Sequence, residues 1–500
     1  MHSHSGNNVA IIGAGLYGLV TAKVLLDETN NAFSSITIFE KQSSLGGVWS
    51  QDRIYPGLAS NSPALTYEIP GFKYPERLRK CGAHVEAEDV NAYLNAYAET
   101  FDLKRCVRFS SEVRDVSWNA EEQMWRIVGY DGSGGFENFF KFVVVCNGLY
   151  HAKNIPEIPH CTGSGSLPKT FHSADVGNPD VRRTLSISRH TVVVGAGKSA
   201  IDLATLIAKD AWTKKQESTP RVTLVYKRPH WLSPRSILMG AIHFERVLFS
   251  RFLNAWLPFA IHPDLFHAWI AETSLGKRIT AKIFQCVEMD MKMSCGQMDL
   301  PETIPNHPLR DALSGALHVA PTGYLDLVRA KRISIIEGSV ASILEAGVEV
   351  QKNDGKALRL DADNILWATG YKISFPFFTS STLQQLGITR APFICNPNDL
   401  PFMKLHRLIV PPTTTHPNYI TSNPCRSIAF NGFAYSLLNP TVAYVSAHWI
   451  ADYFLGKMDL PDAKSMIAGK TRYIPRNCAN SRVADLRSRS KARLTSGCRC

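Results

Sequence analysis

The sequence predicts an α/β protein containing two Rossmann-like dinucleotide-binding units. Two observations carry this reading. A short apolar strand runs into a glycine-rich turn and then a helical stretch at residues 9–27, and the same order recurs at residues 191–207. Strand and helix periods also alternate along the chain, which implies parallel sheets covered on both faces. Bulk composition agrees. At 500 residues the chain has room for about three domain-sized units. Its 45% hydrophobic and 20% charged content, with 33 Gly and 28 Pro, excludes a disordered, collagen-like or coiled-coil protein.

The net charge of +12 is concentrated at one end. From Lys470 to Cys500 nine basic residues face Asp485 alone, a balance of +8 that leaves +4 on residues 1–469. The basic character therefore belongs to an Arg/Ser-rich tail, expected to be solvated and disordered, and not to the globular body. No aromatic residue follows Tyr473 to stack on bases, so no nucleic-acid partner is expected. No apolar run approaches the ~20 residues of a transmembrane helix. The opening MHSHSGNN lacks the apolar stretch of a secretory signal. Eleven cysteines are scattered without a C-x-x-C pair, which argues against a disulfide framework, a zinc cluster or a redox dithiol. The expected location is cytoplasmic, with peripheral membrane contact left open. No metal site is expected, and the oligomeric state is not legible.

The first unit begins with Val9-Ala-Ile-Ile12, a buried strand, followed by Gly13-Ala-Gly15-Leu-Tyr-Gly18 and the helical Leu19 to Asp27. A second strand, Ile36-Thr-Ile-Phe39, closes on Glu40. In this G-x-G-x-x-G pattern Gly13 permits the tight turn, Gly15 lets a pyrophosphate approach the backbone, and Gly18 lets helix and strand pack closely. The helix N-terminus offers free N–H groups to the phosphates. Glu40 lies 22 residues past Gly18, where a carboxylate can accept ribose hydroxyl protons.

A dinucleotide turn this early, followed by Gly46-Gly47-Val-Trp49 and then Tyr55-Pro-Gly-Leu-Ala-Ser-Asn61-Ser-Pro63, resembles class B flavin-dependent monooxygenases of the dimethylaniline monooxygenase type. Gly46 and Gly47 would let backbone cross close over a flavin. Trp49 would cover a ring face or pack in the core. The resemblance makes Asn61 the candidate catalytic residue, its amide donating to a peroxide or ribose oxygen. Without that resemblance, an Asn in a Pro-flanked turn is the plainer reading.

The second unit reads Thr191-Val-Val-Val194, Gly195-Ala-Gly197-Lys198-Ser-Ala200 and the helical Ile201 to Ile207, then the strand Val222-Thr-Leu-Val-Tyr226. Where Glu40 closed the first copy, Lys227 and Arg228 stand here. A carboxylate would repel the 2′-phosphate of NADPH, whereas these cations would bind it, with Lys198 and Arg235 as further candidates. One site closed by an acid and one by cations describes a protein in which NADPH reduces FAD.

Phe142-Val-Val-Val-Cys146-Asn147-Gly148 and Asp363-Asn-Ile-Leu-Trp-Ala368-Thr369-Gly370-Tyr371 occupy equivalent-looking places, each an apolar strand ending in a small-residue turn. In the resembled family such strands return the chain to the flavin or to the domain junction, which makes Thr369 and Gly370 cofactor-contact candidates. His172-Ser173 sits where the family has a fingerprint histidine, while Pro168 and Val176 stand in place of the expected Gly and aromatic residue. His172 is expected as a hinge or cofactor contact.

The resemblance covers roughly residues 8–460. It implies a discontinuous FAD domain at 1–165 and 325–465, with an NADPH domain inserted at 166–324. An aromatic-rich insertion spans 229–300, containing Trp231, Trp256, Phe259, Phe266 and Trp269, and a basic tail spans 466–500. The aromatics are expected to pack beneath the excursion, with a substrate lid or membrane contact as the functional readings. The implied activity is insertion of one oxygen atom of O₂ into a small organic, specialised-metabolite substrate through a C4a-hydroperoxyflavin. The alternatives are Baeyer–Villiger oxygenation of a ketone and a flavin oxidase or reductase without oxygen insertion.

Overall fold

The computed structural model of the chain describes residues 6–80, 84–160, 166–209, 221–238, 240–248, 250, 256, 265–312, 317–388, 403–412, 426–461 and 465–466. The basic tail beyond residue 466 lies outside them, as does Phe259 of the insertion.

Two sheets organise the fold. The first has five parallel strands in the order Ile428–Phe430, Phe142–Val145, Asn8–Ile12, Ser35–Phe39, Val107–Arg108. Its strands are apolar on both faces because both faces are covered. Val9, Ile11, Phe142 and Val144 point into a core shared with the helices Leu16–Asp27, Ala87–Thr100 and Asn439–Phe454. Ala10, Ile12, Val143 and Val145 point the other way, onto the antiparallel strands Glu112–Asn119, Met124–Asp131 and Gly134–Phe140 and onto Phe375, Phe377 and Phe378. The antiparallel layer was not foreseen from the sequence.

The second sheet has seven strands: Lys169–His172, Asn364–Trp367, His190–Val194, Arg221–Tyr226, Ile333–Leu344, Gly347–Lys352 and Ala357–Asp361. The first five run parallel and the last two extend the sheet as an antiparallel meander. Val193, Leu224 and Leu366 face one core, and Val192, Val225, Ile365 and Trp367 the other.

The sheet topology shows where the returning strands pair. Residues 333–367 pair within the second sheet, so the chain returns to the first only after Trp367. Strand period marks Asn364–Trp367 as a strand but not the sheet that receives it. The outgoing and returning segments lie side by side, with Ala152–Lys153 antiparallel to Tyr371–Lys372.

The two glycine turns occupy matching positions. Gly13 (φ +107°) lies so close to the end of strand Phe142–Val145 that a Cβ would stand 2.7 Å from the Cys146 carbonyl oxygen. Gly195 (φ +139°) approaches Ala368, at the end of Asn364–Trp367, to 2.3 Å on the same measure. Both positions need a positive φ and no side chain.

The insertion is closed at its neck. Trp231–Ser233, at its start, pairs in parallel with Leu317–Val319, which follows it in the chain. Trp231 is buried and donates from Nε1 to the His307 carbonyl at 3.0 Å. Phe266 and Trp269 share the helix Leu265–Glu272, and Trp256 meets Phe266 edge-on at 5.2 Å between ring centroids. No helix among the described residues is long and apolar enough to cross a membrane.

Candidate functional site

The first glycine turn opens onto a cavity of about 430 Å³. Gly13, Gly15, Glu40, Gly47 and Trp49 all line it, so five of the residues singled out in the sequence converge there. Glu40 is buried at the end of its strand. Its Oε2 accepts from the Ala14 N–H at 2.8 Å, and Oε1 from the Gln42 N–H at 2.9 Å. Burial lifts its carboxyl above the usual carboxylate range against the pull of these two bonds. Gly47 (φ +63°) crosses Gly15 so closely that a Cβ on it would lie 3.1 Å from the Gly15 Cα. Gly18 lies behind this crossing, where a Cβ would collide with the Gly13 carbonyl oxygen at 2.0 Å. The helix Leu16–Asp27 starts at Gly15 with no side-chain cap, leaving its N-terminal dipole open to the cavity. Trp49 donates from Nε1 to the Tyr67 hydroxyl at 2.8 Å and meets that ring edge-on.

Several lining residues were not assigned from sequence. Asn147, quoted there as part of a strand-end turn, donates to the Ser374 carbonyl at 2.9 Å and to His151 Nε2 at 3.3 Å. His151 therefore carries its proton on Nδ1, which donates to Gly148 at 3.0 Å, and burial pulls its pKa down to about 4. The Asn147 side-chain oxygen is buried with no hydrogen-bond partner. Arg53 reaches in from the loop after Trp49, donating to the Tyr150 carbonyl at 2.8 Å and the Tyr371 hydroxyl at 3.1 Å. Nothing in the spacing of Arg53, Tyr67 or Tyr435 marks them. Only the fold brings them to one wall.

These features pass a chemical fit to a flavin dinucleotide. A buried carboxylate with acceptor capacity to spare suits ribose hydroxyls, and a glycine crossing suits close backbone contact. An uncapped helix start suits a pyrophosphate, and the unpartnered Asn147 oxygen suits a ring N–H donor.

Several predicted residues lie outside this cavity. Asn61 is not in the cavity lining. Its amide nitrogen donates to the Leu317 carbonyl at 3.1 Å and its oxygen accepts from the Val319 N–H at 3.0 Å. It thus ties strand Ala59–Pro63 of the first unit to the neck of the insertion. Thr369 and Gly370 are also absent from the lining and sit at the paired crossing segments. The Thr369 hydroxyl donates to the Asn154 carbonyl, and Gly370 accepts from the Asn154 N–H at 3.0 Å. His172 belongs to the same crossing. Its Nδ1 accepts from the Ala174 N–H, so its Nε2 carries the proton donated to Gly370 at 2.9 Å.

At the second turn the helix Lys198–Ala208 begins at Gly197, also without a side-chain cap. Lys198 pairs with Asp202 one turn on, 2.5 Å away. Lys227 and Arg228 follow the strand Arg221–Tyr226, and both are exposed. Behind them is an imidazole pair. His230 Nδ1 and His318 Nε2 share a hydrogen bond at 3.0 Å with rings stacked at 27°. Burial pulls these two down to about 4 and about 3, with Arg228 and Lys198 near enough to add to the effect.

The family model described as flavin-binding monooxygenase-like matches residues 6–389, and the chain belongs to that family. A Baeyer–Villiger monooxygenase of Streptomyces coelicolor is 32% identical over 233 residues, covering 46% of this chain and 40% of that one. An FAD-dependent monooxygenase, DEP4, of Fusarium langsethiae is 22% identical over 92% of this chain and 82% of its own. The chain spans about half the length of the first curated relatives it matches. The mixed α/β fold is shared with S-allyl-L-cysteine S-oxygenase of Allium sativum (TM-score 0.53, 21% identity, 92% and 80% of the two chains). It is also shared with a cyclohexanone monooxygenase in its open form (TM-score 0.59, 16% identity, 92% and 91%).

Proposed function

We propose that this protein is an FAD- and NADPH-dependent monooxygenase that transfers one oxygen atom of O₂ to a small organic substrate. The observation that carries the reading is the pairing of two matched glycine turns, one closed by the Glu40 carboxylate and one by the Lys227 and Arg228 cations. FAD held at the first turn, with NADPH at the second as its reductant, would supply the oxygen activation. The chain's own residues bind and orient. Glu40 and the Gly13–Gly18 turn would hold the adenosine and pyrophosphate, Gly47 crosses Gly15 to leave room for close backbone contact with the dinucleotide, and Trp49 is fixed by Tyr67 as part of the wall. Lys227 and Arg228 select the 2′-phosphate. Arg53, braced by Tyr150 and Tyr371 at the crossing between the units, keeps a positive charge at the cavity wall. The buried Tyr67 and Phe377, with the half-buried Tyr17, help exclude water, which would otherwise divert activated oxygen to H₂O₂.

The Streptomyces relative is named a Baeyer–Villiger monooxygenase and the Allium structure an S-oxygenase. Ketones and sulfides therefore belong beside amines in a substrate panel. The test is NADPH oxidation with O₂ uptake, followed by mass spectrometry of the products. A product heavier by one oxygen, formed only with NADPH, supports the reading. NADPH-independent O₂ consumption would point to an oxidase instead.

A further inference from the structure

The second glycine turn carries a charge pair that oxygen transfer does not require. Lys198, directly after Gly197, places its ammonium against Asp202 Oδ2. Asp202 is only 2% exposed, and its other oxygen, Oδ1, has no hydrogen-bond partner. A buried carboxylate with one oxygen unsatisfied is costly to keep ionised. Burial lifts its pKa to about 6, although Lys198 draws it down. The side chain of Lys198 is 19% exposed against 3% for Asp202, so the ammonium can swing outward while the carboxylate stays buried.

The groups around Asp202 leave Lys198 as its counter-charge. On the same helix, Lys198 is the charged residue that acts on it. From the first unit, the loop Tyr55–Leu58 packs over this helix. Leu206 sits against Gly57, and the buried Tyr55 phenol lies near Asp202, held neutral by burial. The short turn Ser173–Asp175 also packs on the helix, but Asp175 is paired with Lys153.

We infer that Asp202 holds Lys198 in reserve, and that a nucleotide phosphate arriving at the Gly195–Gly197 turn takes Lys198 from it, so that Asp202 picks up a proton as the nucleotide binds. Two anions compete for one ammonium. The phosphate sits at an open helix start and carries more charge. Asp202, losing its counter-ion in a dry site, is neutralised by a proton from solvent. The inference rests on the reading of the second turn as the nicotinamide nucleotide site.

Calorimetric titration of the FAD-loaded protein with NADPH and NADH, in buffers of different ionisation enthalpy at neutral pH, counts the protons. Wild type is expected to take up about one proton per nucleotide bound. Uptake with both nucleotides assigns Lys198 to the pyrophosphate, and uptake with NADPH alone assigns it to the 2′-phosphate. Asp202→Asn preserves shape and frees Lys198. It should abolish the uptake and bind nucleotide roughly tenfold tighter, a difference of about 1.4 kcal/mol. Lys198→Met should abolish uptake and weaken binding. Tight binding with no proton taken up by wild type, or an Asp202→Asn variant with unchanged affinity and uptake, overturns the inference. If neither nucleotide binds wild type, the reading of the second turn itself fails. The wild-type proton count stands on its own should Asp202→Asn not fold.

Discussion

The side-chain oxygen of Asn61 accepts the backbone N–H of Val319 at 3.0 Å, while its amide nitrogen donates to the Leu317 carbonyl two residues earlier. One side chain thereby imitates a strand edge and joins the first unit to the neck of the insertion. Asn61→Ala leaves a backbone donor and acceptor unpaired. It should lower stability by about 1–3 kcal/mol in chemical denaturation. Because Asn61 stands outside the cavity lining, the bound FAD should be retained. Peroxide released per NADPH consumed should rise as the units lose their clasp. Unchanged coupling would confine Asn61 to a structural role.

The crossing of Gly47 over Gly15 leaves no room for a side chain. Gly47→Ala places a Cβ about 3 Å from the Gly15 Cα at a positive φ. It should cost about 1–2 kcal/mol in backbone strain and push the two strands of the cradle apart. The ratio of FAD to protein after purification measures this. It should fall well below that of wild type, while far-ultraviolet circular dichroism stays unchanged.

Lys227 and Arg228 stand where the first unit has Glu40. Replacing Arg228 with Ala should raise the dissociation constant for NADPH by roughly 10–100-fold and leave that for NADH nearly unchanged. Fluorescence titration with both nucleotides reads the difference. An equal loss for both would move the 2′-phosphate away from this strand end.

Three imidazoles give the fold an acid-sensitive stability. His151 and His230 are pulled by burial to about 4, and His318 to about 3, from an unfolded value near 6.5. A lowered histidine is neutral in the folded state. Its contribution is fully present above pH 6.5 and is lost progressively as pH falls toward the folded value, where the unfolded chain gains protons first. Each group can remove on the order of a few kcal/mol over that window, His318 the most. Urea unfolding should therefore show stability falling from neutral pH to pH 5, and His318→Gln should flatten the slope. An identical slope in the variant would mean that the imidazole pair is not buried as a neutral dyad.

Much of this site was legible because its signals are local. Gly13, Gly15, Gly18 and Glu40 follow one another at fixed spacing, and the same physics that makes the turn also makes the pattern. The matched strands ending at Cys146 and Ala368 were legible for the same reason. What escaped were decisions made between distant segments. Asn364–Trp367 reads as a buried strand, yet which sheet it completes depends on pairing with Lys169–His172 and His190–Val194. Arg53, Tyr67 and Asn147 line one cavity through packing that no spacing encodes. The Asn61 amide is satisfied by Leu317 and Val319, residues roughly 250 positions away. A turn motif cannot reveal that partner.

In the proposed reaction, electrons pass from a nucleotide at the second turn to a flavin at the first. Anaerobic mixing of the FAD-loaded protein with NADPH measures this transfer. The flavin absorbance should bleach on mixing, more slowly with NADH than with NADPH, and return when O₂ is admitted. A flavin that keeps its colour under NADPH, or a protein that takes up no flavin on reconstitution, would contradict it.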